Sequence, residues 1–144
     1  MGYIFSAIAG AVMSIQGVMN TRLSEKIGLY ESNAFVQGTA FAASLVVLLL
    51  LKNGNWANIK DVNKIYLLGG VLAPVITITV MLGVKSLSPT VAISVILISQ
   101  LFVAALIDAF GIFDSTQISF GWNKYIALAL MIGGVLLFKA DFSK

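Results

Sequence analysis

The chain has 144 residues, 59% of them hydrophobic and only 10% charged, with 9 Lys and Arg against 6 Asp and Glu and a mean hydropathy of +0.99. A soluble domain carries about 25% charged residues, and a soluble helical bundle needs a polar face on each helix, which Leu45 to Leu51 does not offer. With no cysteine and no histidine, a disulfide framework, a thiol nucleophile and a zinc site built from these ligands are excluded.

Five stretches are apolar and free of charge. Gly2 to Thr21, Ser32 to Leu51 and Ile65 to Val84 each run 20 residues, Ser86 to Ile107 runs 22, and Tyr125 to Phe138 runs 14. A helix rising about 1.5 Å per residue needs about 20 residues to cross a hydrocarbon core of about 30 Å. Four stretches meet that length unaided. The fifth spans if Lys124 and Lys139 snorkel outward while Trp122 and Tyr125 sit at headgroup level. The expected helices are about 2–21, 32–51, 65–84, 88–107 and 122–139. Together they make an all-α integral membrane protein, one membrane domain over 1–144, with the lipid bilayer as its solvent.

The first stretch lacks the basic n-region of a secretory signal and exceeds the usual h-region, so it reads as a retained helix. Met1-Gly2 followed by Ser6 fits a myristoylation pattern, but the residues after it already enter the bilayer, and the match reads as chance. The connections are short. Arg22 to Glu31 is polar and holds Gly28, and Lys52 to Lys64 holds the turn signal Asn53-Gly54-Asn55. Ser88 before Pro89 has the form of an N-cap with proline at the first helical position. Asp108 to Lys124 holds Gly111 and Gly121.

Five spans put the termini on opposite sides. One side then carries Lys52, Lys60, Lys64 and Lys124, and the other Arg22, Lys26, Lys85, Lys139 and Lys144. Orientation follows an excess of Lys and Arg on the cytoplasmic side, and this chain has almost none. Insertion in both directions, giving an antiparallel homodimer, is one consequence. The other is a single orientation set by a few well-placed charges or by an oppositely oriented paralogous partner. The positive charges lie scattered in loops, with a pI of 9.3, and form no basic stripe for nucleic acid.

Polar residues within a span are costly and face a cavity or another helix. At 100° per residue, Gln16, Asn20, Met13, Ser6, Gly17, Gly10 and Ser14 share one arc of the first helix, with Ile4, Ile8, Val12, Ile15 and Met19 opposite. Asn33, Gln37, Ala40 and Ser44 form a stripe on the second helix. Gly70, Ala73 and Thr77 lie on one side of the third, and Gln100, Ala104 and Asp108 on one side of the fourth. Pro74 removes an N–H and crowds the Gly70 carbonyl, which predicts a kink and makes it the candidate hinge. Ser14, Ser44, Gly10 and Gly70 are read as packing positions. Gln16, Asn20, Gln37 and Gln100 are read as lining a cavity. Gly133-Gly134, on an otherwise apolar fifth helix, is the candidate dimer-packing site. The candidate substrate-binding set is Gln16, Asn20, Asn33, Gln37, Thr77, Gln100 and Asp108. No catalytic residue, metal ligand or cofactor site is expected, because no histidine, cysteine or inward-facing carboxylate pair is available for acid, base or nucleophile chemistry.

The run Gly10-Ala-Val-Met-Ser-Ile-Gln16-Gly-Val-Met-Asn20-Thr-Arg22-Leu, then Gly28, Ala34 and Gly38, with Gln100, Asp108, Gly111 and the closing Gly133-Gly134-Val-Leu-Leu, resembles the YdcZ-type family of the drug/metabolite transporter superfamily. The resemblance covers nearly the whole chain. It implies a small inner-membrane protein of bacteria or archaea, from a family with dual-topology, paired and fused forms. It also implies half of a ten-helix inverted-repeat transporter, completed here by antiparallel dimerisation. The family's amide and acidic positions fall on Gln16, Asn20, Gln100 and Asp108. The small four-helix multidrug transporters carry a membrane-embedded glutamate in helix one, where this chain has Gln16, and an amide cannot titrate. Proton coupling would have to use Glu31 or Asp108, near helix ends. The expected function is transport of a small polar or cationic solute by alternating access; a passive channel and a non-transporting membrane subunit are the competing readings.

Overall fold

The structure is a computed structural model and describes residues 1–51, 54–118 and 121–140. Among these the regular structure is all helix, with no strand. Lys52, Asn53 and Lys144 lie outside the described residues, and so does the side chain of Lys139. The helices fall into two compact groups, Met1–Lys85 and Ser86–Lys144.

In the first group α1 spans Gly2–Ile27, α2 spans Leu29–Leu51 and α3 spans Gly69–Ser86. The polar connection expected at Arg22 to Glu31 is instead helix on both sides of a single residue, Gly28. Three effects carry α1 six residues past the charge-free stretch. Arg22 pairs with Glu25 one turn on, at 3.0 Å. Lys26 sits in the last turn, where a cation favours the helix dipole. Nothing breaks the helix before Gly28. That glycine has φ 103° and ψ 157°, a region essentially closed to residues with a Cβ, and a Cβ there would collide with the Glu31 carboxylate. Its N–H donates to Ser24 O at 3.1 Å and its carbonyl accepts from Ser32 N at 3.1 Å, so both helix ends close on one residue.

Small residues pack this hairpin. Thr21, Ser24 and Ser32 are buried. The hydroxyls of Thr21 and Ser24 donate to Gly17 O and Thr21 O at 2.7 Å each, and Ser32 Oγ reaches across to Asn20 O at 3.4 Å. In lipid, helices associate through close packing and hydrogen bonds, because the hydrocarbon around them is as apolar as leucine. The helix α3 joins at Gly17, where an added Cβ would stand 3.1 Å from Cγ1 of Val80. Met81 and Val84 beside it are buried. The third helix does not begin as an α-helix at Ile65. Short 3-10 helices at Trp56–Lys60 and Lys64–Leu68 precede it, capped by the side chains of Asn55 and Asn63.

In the second group α4 spans Pro89–Phe110, with Ser88 Oγ accepting from Val91 N as its cap, at 3.4 Å. It runs three residues beyond the expected end at Ile107, to Gly111 in the left-handed region at φ 62°. The last carbonyls of a helix have no intrahelical donor, and here the following loop supplies them. Ser115 Oγ donates to Ile107 O at 3.3 Å and Gln117 Nε2 to Ala109 O at 2.9 Å, while Ile118 N donates to Asp108 O at 2.8 Å. The helix α5 covers Trp122–Lys139. Its 18 residues rise about 27 Å, close to the core thickness, with Trp122 and Tyr125 rings 6.0 Å apart at its start. Among the described residues, four helical segments are long and apolar enough to cross a membrane, and Trp122–Phe138 is a shorter apolar helix.

Candidate functional site

Within the first group, the stripes read from the sequence on α2 and α3 meet. Gln37 Nε2 donates to Thr77 Oγ1 at 3.1 Å, and Thr77 donates in turn to Ala73 O at 3.0 Å. The threonine hydroxyl is thus used in both directions, and the amide oxygen of Gln37 is left over among the described residues. One turn earlier on α2, Asn33 Oδ1 is buried with no hydrogen-bond partner among the described residues. An unmet buried acceptor costs about 1–3 kcal/mol. Asn33, Gln37 and Thr77 therefore form one polar locus whose two amides keep both acceptors and N–H donors without partners among the described residues. Pro74 lies half-buried one turn from Thr77. The chain passes from 3-10 to α-helix at Gly69, just before it, and α-helix continues through the proline to Ser86. The irregularity is placed ahead of the proline, where the Gly70 carbonyl loses its donor.

Gln16 and Asn20 stand apart from that locus in their bonding. Gln16 is exposed and its amide has no partner among the described residues; Asn20 is half-buried and takes part through its backbone carbonyl, which accepts from Ser32. Ser14 and Ser44 bond back to their own helices, to Gly10 O at 3.0 Å and Ala40 O at 2.8 Å, and so need no partner. Gly10 and Gly70, read as packing positions, have open space where a Cβ would go.

In the second group Gln100 is exposed and unpaired among the described residues. One turn further on, Ala104 and Asp108 join Leu101 from α4 and Lys124, Ala127 and Leu128 from α5 around an open groove of about 230 Å³. The groove is apolar along its walls, with a carboxylate and an ammonium both at the end nearest the helix termini. Lys124 is a residue that sequence reasoning treated only as a flanking charge. Its position at the start of α5, one loop after Asp108, was the available signal. Gly133 and Gly134 are half-buried, and a Cβ at either would meet nothing within 4 Å. No group of three or more acidic, cysteine or histidine side chains able to hold a metal occurs among the described residues.

Comparison with known proteins gives the arrangement a family. Residues 1–137 match the DMT_YdcZ family, described as "Putative inner membrane exporter, YdcZ". No curated protein and no solved structure matches the chain. That description is of an exporter and names no enzymatic activity, and the inner membrane it names agrees with the four membrane-length apolar helices among the described residues. With the match covering all but the last seven residues, the chain belongs to the YdcZ family, as a multi-pass protein of the inner membrane.

Proposed function

We propose that this chain is half of an exporter and that a second copy, inserted the other way round, completes it. The observation that carries the reading is the exposure of Gln16 and Gln100, two large amides on membrane-length helices with no partner among the described residues. Lipid offers an amide no hydrogen bond, and leaving one unmet costs several kcal/mol. A cavity or another chain must meet them. The near balance of Lys and Arg between the two sides favours an oppositely oriented copy, or an oppositely oriented paralogue, over a parallel one.

Two such copies relate their polar stripes by a pseudo-twofold axis in the membrane plane, as in inverted-repeat transporters. Gln16, Asn20, Asn33, Gln37, Thr77, Gln100 and Asp108 then line the path, and Pro74 marks the segment of α3 that bends as the two copies exchange conformations. The amides of Asn33 and Gln37 offer both acceptors and donors, which suits a small polar or cationic solute.

Two experiments test this. Purified protein in liposomes is loaded with a panel of metabolites, drug-like cations and ions. Saturable flux that exchanges solute across the bilayer, lost in Gln16→Leu and Gln100→Leu, supports the reading. Flux too fast for a conformational cycle favours a channel, and none from the whole panel favours a non-transporting subunit. Separately, Thr116→Cys and Ser143→Cys chains are labelled in intact cells with an impermeant maleimide. Labelling of about half the molecules at each site is expected. Complete labelling at one and none at the other removes the antiparallel homodimer and leaves the paralogous partner.

A further inference from the structure

The connection between α2 and α3 is more ordered than a turn between two spans requires. Asn55 Oδ1 accepts from Ala57 N at 3.0 Å and Asn63 Oδ1 from Ile65 N at 3.2 Å, which fixes the starts of both 3-10 helices. With three residues per turn, side chains three apart eclipse one another, so Trp56 and Ile59 form a ridge. The protein leaves that ridge open: Trp56 is 69% exposed, Ile59 45% and Val62 40%. Together with Leu48 of α2, Asn55 and Asn58, these three surround an open groove of about 350 Å³. Lys60 and Lys64 are exposed on the same connection, against one acid, Asp61.

Its depth is set by what precedes it. The last turns of α2, from Leu45 to Leu51, are exposed and wholly apolar, so they meet hydrocarbon. The groove starts at Leu48 and runs outward, where hydrocarbon gives way to headgroups and tryptophan is enriched. An apolar ridge continuous with a lipid-facing helix, and flanked by a net positive charge, matches one occupant in shape and charge.

We propose that the α2–α3 connection is an amphipathic interfacial element whose groove holds an anionic phospholipid. An acyl chain lies along Leu48, Trp56, Ile59 and Val62, the phosphate meets Lys60 and Lys64, and the amides of Asn55 and Asn58 face the glycerol region. Lys60 and Lys64 against Asp61 leave one net positive charge beside the groove among the described residues, which corresponds to about a fivefold enrichment of anionic lipid. The site is separate from the polar stripes and does not depend on the transport reading.

The chain has two tryptophans, so Trp122→Phe makes Trp56 the sole reporter in the full protein. Reconstituted into phosphatidylcholine with some phosphatidylglycerol, its fluorescence is read against acrylamide in the water and against lipids brominated on the acyl chain. Expected are shielding from acrylamide, strong quenching by brominated lipid, and about fivefold stronger quenching when the bromine is on phosphatidylglycerol than on phosphatidylcholine at equal mole fraction. Lys60→Gln with Lys64→Gln should remove most of that preference and leave quenching by brominated phosphatidylcholine intact. Free access to acrylamide would place the element in water and overturn the proposal. Equal quenching by the two lipids would overturn the anionic headgroup, and shielding from acrylamide and brominated lipid alike would mean that protein, such as a second copy, fills the groove.

Discussion

The α1–α2 and α4–α5 hairpins join helices of similar length by opposite means. The first turns on one residue, Gly28, held at φ 103°, and packs through buried Thr21, Ser24 and Ser32. The second turns through a loop whose side chains and backbone feed donors to the last carbonyls of α4, and its helices meet along an apolar seam around Leu101, Ala105 and Leu128. In the first, buried polar side chains bond back along α1 and one, Ser32, crosses to the neighbouring helix; in the second they are spent at the helix end. Polarity within a span therefore has two uses, and groups with no partner among the described residues, such as Gln16, Gln100, the Asn33 Oδ1 and the Gln37 amide oxygen, remain for work outside the fold.

Gly28→Ala breaks this contrast most severely. It puts a Cβ into a conformation essentially reserved for glycine and against the Glu31 carboxylate, and a loss of about 3 kcal/mol is expected in reversible unfolding from mixed micelles. A loss below about 0.5 kcal/mol would show that the one-residue turn is not held as described. Next comes Gly17→Leu, which forces a side chain against Val80; overpacking of this kind costs about 1–3 kcal/mol, and the same unfolding assay reads it. The Gln37–Thr77 bond is smaller. A double-mutant cycle with Gln37→Leu and Thr77→Val should return a coupling of about 0.6 kcal/mol, and zero coupling would dissolve the α2–α3 polar locus. Smallest is Gly133→Ala with Gly134→Ala, which meets open space. It should leave the unfolding of the chain unchanged within the assay's precision, and a lower dimer fraction in crosslinking would place a partner helix on that face.

Several features are legible in the sequence itself. Ser88 caps α4 and Pro89 opens it, as the residue pair dictates. The polar stripes at Asn33 and Gln37 and at Thr77 were legible from a spacing of three or four on each helix; that they meet was not. The ends of α1 and α4 were misplaced for a shared reason. Charge-free runs measure how far the hydrocarbon extends, whereas a helix stops where its backbone is broken. Arg22, Glu25 and Lys26 continue α1 as a helix that has left the hydrocarbon, until Gly28 ends it; Asp108 is likewise inside α4, which ends at Gly111. The 3-10 start of α3 gave no hydropathy signal, since Ile65 to Leu68 is as apolar as the helix that follows.

By itself, then, the sequence determined that the chain lives in a membrane, how many apolar helices it has, and which residue types are available for chemistry, because burial in lipid is governed by composition along the chain. Only the tertiary structure decided which polar groups are already satisfied. Among the described residues Ser32, Thr77 and Gln37 find partners on neighbouring helices and Gln16 and Gln100 do not, and a hydrogen bond depends on a separation of about 3 Å that helical periodicity cannot supply.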